Sequence, residues 1–219
     1  MPHKYFWPLV VITGGLILGA CKKEKSREGD PPLPPASNCG YAPYTDGSVY
    51  NYENVNAQTL DTTRFTVTVT GDSVINGISY KKLASDTATT YNRCDNGSYY
   101  QMVKGISYED YTADSVISVY LKDNVPVGSS WTDTVTVRDG ADEQTVILTY
   151  SITQKDITKR VYDLDYTGVI AIKLDASVKI LGTPVSLGTL VTNYYAADVG
   201  LIQADQAQDT TRLRSYNIQ

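Results

Sequence analysis

Three stretches carry residue types that could do chemistry. Ser79-Tyr80-Lys81-Lys82 has the Ser-x-x-Lys spacing in which a lysine activates a serine nucleophile. That chemistry needs a helix, which sets the two side chains one turn apart on one face. Here the stretch leaves an Asn-Gly turn as a strand, and an odd spacing sends Ser79 and Lys82 to opposite faces. Asp163-Leu164-Asp165-Tyr166-Thr167-Gly168 looks like half a calcium loop, but the position that needs a bidentate glutamate is Leu174. Glu109-Asp110 and Asp142-Glu143 could supply acid–base pairs. Sequence neighbours face opposite ways in a strand, whereas glycoside chemistry needs two carboxylates across a cleft. No catalytic residue, metal site or cofactor is expected, and the chain reads as a non-enzyme.

Cysteine gives a firmer signal. Residues 16–21 read LILGAC and are followed by Lys-Lys-Glu-Lys. Lys4 and the amino terminus make a short positive region, Tyr5 to Leu18 are mostly apolar, and Gly19 and Ala20 are small. This is the layout of a secretory signal over residues 1–20. Pro8 and Gly14-Gly15 weaken the competing reading, a retained anchor helix, which needs about 20 apolar residues. Leu18-Gly19-Ala20-Cys21 resembles a bacterial lipobox, which implies that the Cys21 thiol takes up a diacylglyceryl group. Each buried lipid CH₂ contributes roughly 0.8 kcal/mol, so two or three chains hold a protein at a bilayer. The membrane is thus an expected partner through the N-terminal lipid. Lys22, in place of an aspartate, leaves the outer membrane as the expected location.

Removing residues 1–20 removes His3, the one histidine of the 219-residue chain. That excludes Ser-His-Asp and Cys-His catalysis and histidine-ligated zinc. Cys39 and Cys94 remain, and outside the cytoplasm an even remainder suggests a disulfide, with two free buried thiols as the alternative. From residue 41 on, with 14 basic and 21 acidic residues, the chain is acidic. Nucleic-acid binding is not expected, because phosphate contacts need clustered Lys and Arg.

These features must be placed by something. Residues 21–40, polar and rich in proline at Pro31-Pro32 and Pro34-Pro35, form an extended tether. Residues 41–219 read as a single β domain. In TRFTVTVT, residues 63–70, Phe65, Val67 and Val69 share one face, opposite Thr66, Thr68 and Thr70. Asn76-Gly77 and Asn96-Gly97 are hairpin turns between apolar runs. Strands follow at ISYEDYT, SVISVYL, WTDTVTV, QTVILTYSIT, KRVYDLDY, GVIAIKL, SVKILG, TLVTNYYAA, GLIQA and TRLRSYNI. A short helix is conceivable near Asn54 to Asp61. The expected fold is all-β, an antiparallel meander forming an open or half β-barrel. A closed lipocalin-like barrel or a β-sandwich is the alternative.

Seventeen tyrosines follow residue 20. Tyrosine suits a half-buried sheet, and it also suits a ligand-binding face. Asp followed by Ser or Thr recurs at Asp61-Thr62, Asp72-Ser73, Asp86-Thr87, Asp114-Ser115, Asp133-Thr134 and Asp209-Thr210. The pattern resembles an O-glycan acceptor of Gram-negative envelope proteins, but Asp ending a turn before a strand is the preferred reading.

GDSVINGISYKKL, VPVGSSW, YTGVIAIKL and NYYAADVGLIQ together resemble elements of uncharacterised Gram-negative envelope lipoproteins with a half-barrel like that of LolA and LolB. The resemblance implies a sheet whose concave side shelters an apolar or amphipathic ligand, with Trp131, Tyr194 and Leu201 near it. The alternative is a structural surface lipoprotein, O-glycosylated or not, that meets an envelope protein partner and has no small ligand.

Overall fold

The computed structural model of the chain describes residues 39–108, 111–140, 142–180 and 182–219. Residues 1–20, Cys21, the tether before residue 39, and Glu109-Asp110 lie outside the described residues. Twelve strands follow one another in the described chain: β1 (Val49–Asn56), β2 (Thr62–Ile75), β3 (Ile78–Ala84), β4 (Thr89–Asp95), β5 (Ser98–Tyr108) and β6 (Tyr111–Lys122), then β7 (Ser130–Asp139), β8 (Asp142–Val161), β9 (Leu164–Ile180), β10 (Thr183–Ala196), β11 (Gly200–Gln206) and β12 (Asp209–Asn217). Each pairs antiparallel with the next, and β1 pairs with β12 over Val49–Asn56 and Asp209–Asn217. The all-β meander holds, and it closes: the closed-barrel alternative, not the open half-barrel, is the form adopted. Closure removes the free sheet edges that an open form would carry.

Alternation explains the wall. In β7, Val135 is buried while Thr132, Thr134 and Thr136 are exposed. In β2, Phe65, Val67 and Val69 share one face, as their spacing requires, and Phe65 and Val67 line the interior. Asn76-Gly77 and Asn96-Gly97 make the β2–β3 and β4–β5 turns with positive φ at all four residues. Gly97 is needed twice over, because a Cβ there would sit 2.6 Å from the Asp123 carboxylate.

Five local expectations change. Asn54 to Asp61 is not a helix: β1 runs through Asn56, and a turn follows in which Asn56 Oδ1 accepts from the Gln58 and Thr59 amides at 2.9 Å. ISYEDYT is not one strand but straddles the β5–β6 connection, and KRVYDLDY straddles the β8–β9 turn. GVIAIKL and residues 177–180 of SVKILG are both part of the 17-residue β9. Asp72-Ser73, Asp114-Ser115 and Asp133-Thr134 sit inside strands rather than at turns.

Two bulges matter. Tyr99 pairs with Leu121 and Tyr100 with Val119, so Tyr120 is an extra residue. Both Tyr120 and Leu121 are consequently buried. Tyr194 pairs with Gln203 and Tyr195 with Leu201, which leaves Ile202 extra and also buried.

One end of the barrel is closed by residues 39–47. Cys39 is disulfide-bonded to Cys94, with Cα atoms 5.8 Å apart. The Tyr41 hydroxyl donates to the Gly168 carbonyl at 2.8 Å, and the Asp198 amide donates to the Gly40 carbonyl at 2.7 Å. The Tyr50 hydroxyl donates to the Pro43 carbonyl at 3.3 Å. Four contacts from four parts of the barrel thus fix this segment across its base.

Candidate functional site

Above that base lies a cavity of about 190 Å³. Tyr44 enters it from the closing segment, Tyr50 and Tyr52 from β1, Phe65 and Val67 from β2, and Leu83 from β3. Gln101 of β5, Tyr120 of β6, Tyr195 of β10 and Leu201 of β11 complete most of the wall. The β6 bulge sets Tyr120 here, and its ring meets that of Tyr195 at 5.4 Å. Tyr44 stands edge-on to Tyr50 at 6.0 Å, and Tyr52 stacks on Phe65 at 5.4 Å.

The lumen is a neutral aromatic cup. Burial holds the phenols of Tyr52, Tyr120 and Tyr195 well above their ordinary ionisation range. Burial pushes Tyr44 up to about 12, and the Tyr120 hydroxyl partly offsets that rise. The Tyr52 hydroxyl donates to the Leu201 carbonyl at 3.0 Å. The Tyr120 hydroxyl is different. It is buried against the Tyr44 hydroxyl, a contact outside ordinary hydrogen-bond geometry that lowers the pKa of Tyr44 and raises that of Tyr120. The two hydroxyls form a poorly aligned polar pair inside an otherwise largely apolar lumen.

The cavity opens at the end opposite the closing segment. Phe65, Val67, Leu83 and Thr90 also line a mouth of about 410 Å³, which continues to Arg64 and to the β3–β4 turn at Ser85, Asp86, Thr87 and Ala88. Mouth and cavity together, rather than the cavity alone, reach the size class of small-molecule pockets. On one side the wall is tall. The β5–β6, β7–β8 and β9–β10 pairings run on to Tyr108–Tyr111, Asp139–Asp142 and Ile180–Thr183, whereas β10 meets β11 only from Val191.

Beside the mouth, Glu53 carries the strongest electrostatic arrangement. Its Oε2 accepts from Arg64 Nε at 2.9 Å and from Arg214 at 2.6 Å, and its Oε1 accepts from the Tyr162 hydroxyl at 2.7 Å. Tyr162 first, then Arg64 and Arg214, lower the Glu53 carboxyl from 4.5 to about 2. A groove of about 370 Å³ lies against Arg64 and Arg214 and shares Tyr52 and Phe65 with the cavity.

Of the three residues expected near a ligand, Leu201 lines the cavity. Trp131 and Tyr194 are not among its lining residues. Trp131 stacks on Tyr150 at 5.8 Å, and its indole N–H donates to the Val119 carbonyl at 2.5 Å. Asp133 accepts from the Val119 amide at 2.8 Å. These two side chains bridge β6 and β7 where the backbone ladder is absent, since those strands pair only at Tyr111–Thr112 with Arg138–Asp139. Tyr194 lies under the Lys159 ammonium, 3.6 Å from its ring centre. Sequence reasoning missed Tyr44, Tyr50, Tyr52, Phe65, Tyr120 and Tyr195 as one set. The alternation of Tyr50 and Tyr52 with Phe65 and Val67 was a usable signal, but the bulge that turns Tyr120 inward has none.

Fold and site together define a closed up-and-down β-barrel with a lumen open at one end. No protein-family model and no curated protein matches the chain. Among solved structures it is similar to a protein assigned as exported, with a YmcC-like fold, from Bacteroides fragilis NCTC 9343, at 11% identity and a TM-score of 0.52. The match covers 80% of this chain and 97% of that one. A lipoprotein from Parabacteroides distasonis ATCC 8503 matches at 13% identity and a TM-score of 0.48, again over 80% and 97% of the two chains. The likeness is one of fold.

Proposed function

We propose that the chain is a lipoprotein of the bacterial envelope, anchored at the outer membrane through Cys21, whose barrel binds a small apolar or amphipathic molecule without transforming it. The observation that carries binding is the cup itself: tyrosines held neutral around one cavity, a fixed base, an open mouth, and a buried Tyr120 hydroxyl whose contact with Tyr44 is poorly aligned. An apolar body would gain roughly 25 cal/mol per Å² of surface removed from water, and one acceptor atom on it would meet Tyr120. The envelope location is supported by the apolar run and Leu18-Gly19-Ala20-Cys21. The fold neighbour's assignment as exported agrees with it.

Uptake of a fluorescent single-chain amphiphile by the secreted chain carrying Cys21→Ser tests the reading. Thr90 lines both cavity and mouth. Thr90→Trp is expected to abolish uptake while the far-ultraviolet spectrum stays that of the parent. Equal uptake by both proteins contradicts a luminal site.

A second reading, a structural lipoprotein that meets a protein partner, draws on β10. Val185, Leu187 and Leu190 are exposed there, on a stretch that β11 leaves unpaired.

A further inference from the structure

Resting on the luminal reading above, we propose that the mouth recognises the headgroup of its ligand, and that the ligand is a single-chain amphiphile with a zwitterionic head. The anion would sit between Arg64 and Arg214 and the ammonium at Asp86.

The lumen sets the tail. Its volume of about 190 Å³ equals about six waters at roughly 30 Å³ each, enough for the end of one acyl chain. None of its lining residues is a cation, so an anion inside would lie uncompensated against neutral phenols, at a large desolvation cost. A charged head must therefore remain outside. Phe65 says where, because it lines the cavity, the mouth and the neighbouring groove. Arg64 and Asp86 line both mouth and groove.

The groove sets the head. Two guanidinium groups share a single carboxylate oxygen of Glu53, which leaves positive charge in excess on that wall. The Glu53 carboxylate is 9% exposed, whereas Arg64 and Arg214 are 68% and 43% exposed. The arginines therefore keep N–H groups turned to the groove. Asn51, Thr66 and Ser215 stand beside them. Guanidinium forks of this kind suit phosphate or carboxylate. Asp86, exposed on the β3–β4 turn, lines the same groove yet forms an ion pair with no cation among the described residues. Positive charge on β2 and β12 and negative charge on the β3–β4 turn thus line one groove. A simple anion would satisfy only one of the two, and a zwitterion satisfies both.

Affinities of the secreted chain carrying Cys21→Ser for four myristoyl probes test this: lysophosphatidylethanolamine, lysophosphatidic acid, myristate and neutral monomyristin. Lysophosphatidylethanolamine is expected to bind about tenfold or more tightly than monomyristin, and more tightly than either anion. Arg64→Gln with Arg214→Gln should bring its advantage over monomyristin toward one. That pair leaves Glu53 with Tyr162 alone, so folding is checked by near-ultraviolet dichroism. Asp86→Asn, with no described partner to lose, is the second variant and should erase the advantage over lysophosphatidic acid. Equal binding of lysophosphatidylethanolamine and monomyristin overturns headgroup recognition and leaves the luminal reading standing. Binding of either anion as tightly as the zwitterion overturns the role of Asp86. Binding of none of the four overturns both.

Discussion

Cys39 is bonded to Cys94 across 55 residues of sequence, and the bond holds the start of the closing segment against β4. Tyr44, five residues on, enters the lumen from that segment. The disulfide and the cup are therefore one arrangement: what staples the chain also makes the base of the cavity. Loss of the bond is expected to lower stability by about 4 kcal/mol, from the loop entropy it removes from the unfolded chain. Urea unfolding of Cys39→Ser/Cys94→Ser beside the parent, with and without reductant, measures this.

Two phenols of the same cup should respond oppositely to loss of their hydroxyls. Tyr120→Phe removes a buried hydroxyl whose contact with Tyr44 is poorly aligned, and is expected to leave stability unchanged or raise it by about 1 kcal/mol. Tyr52→Phe removes the bond to the Leu201 carbonyl, leaves that oxygen with one partner fewer, and is expected to cost about 1 kcal/mol. Urea midpoints of the two variants at constant slope check the pair.

Acid should act through Glu53. Its carboxyl is lowered from 4.5 to about 2 in the folded chain, so the unfolded chain binds a proton at a pH where the folded one does not. The stability it contributes is full above about 4.5 and is lost as pH falls toward about 2. Glu53→Gln should flatten stability against pH across that window, which denaturant titrations at several pH values would show.

Alkali should act through the lumen. Tyr44 is raised from 10.0 to about 12, and Tyr52, Tyr120 and Tyr195 are raised well above 10.0, all by burial first. The stability held by keeping these phenols neutral is full below pH 10.0 and declines as pH rises past it, because the unfolded tyrosines ionise first. Tyrosinate absorbance should therefore appear together with cooperative unfolding, rather than as a gradual titration of the native protein.

Between β6 and β7, side chains replace backbone pairing. Asp133→Ala deprives the Val119 amide of its acceptor and is expected to cost about 1.5–3 kcal/mol, as for a hydrogen bond to a charged group. Hydrogen exchange at Val119 should accelerate, while exchange at Ile172, buried in β9 between β8 and β10, should follow only the global change.

Local chemistry was legible in the sequence where one residue type does one job. Asn76-Gly77 and Asn96-Gly97 mark their turns because both positions need positive φ. The alternation from Phe65 to Val69 marks a lumen-facing strand. Tyr162 also adopts φ of 52°, but a tyrosine announces no turn, so the β8–β9 hairpin read as a strand. Closure was open in the sequence because pairing of Val49 with Asn217 is a contact across nearly the whole described chain, with no local signature. The site was least legible. Tyr120 reaches the lumen through a one-residue bulge, and strict alternation from Leu121 would have sent it to the outer face.

The most direct measurement is native mass spectrometry of the secreted chain carrying Cys21→Ser, recovered from the envelope of its own host, with and without Thr90→Trp. The account predicts one bound small molecule on the parent, released by organic extraction, and a bare mass for Thr90→Trp. A bare mass for the parent that persists after incubation with single-chain lipids would contradict a ligand-binding lumen.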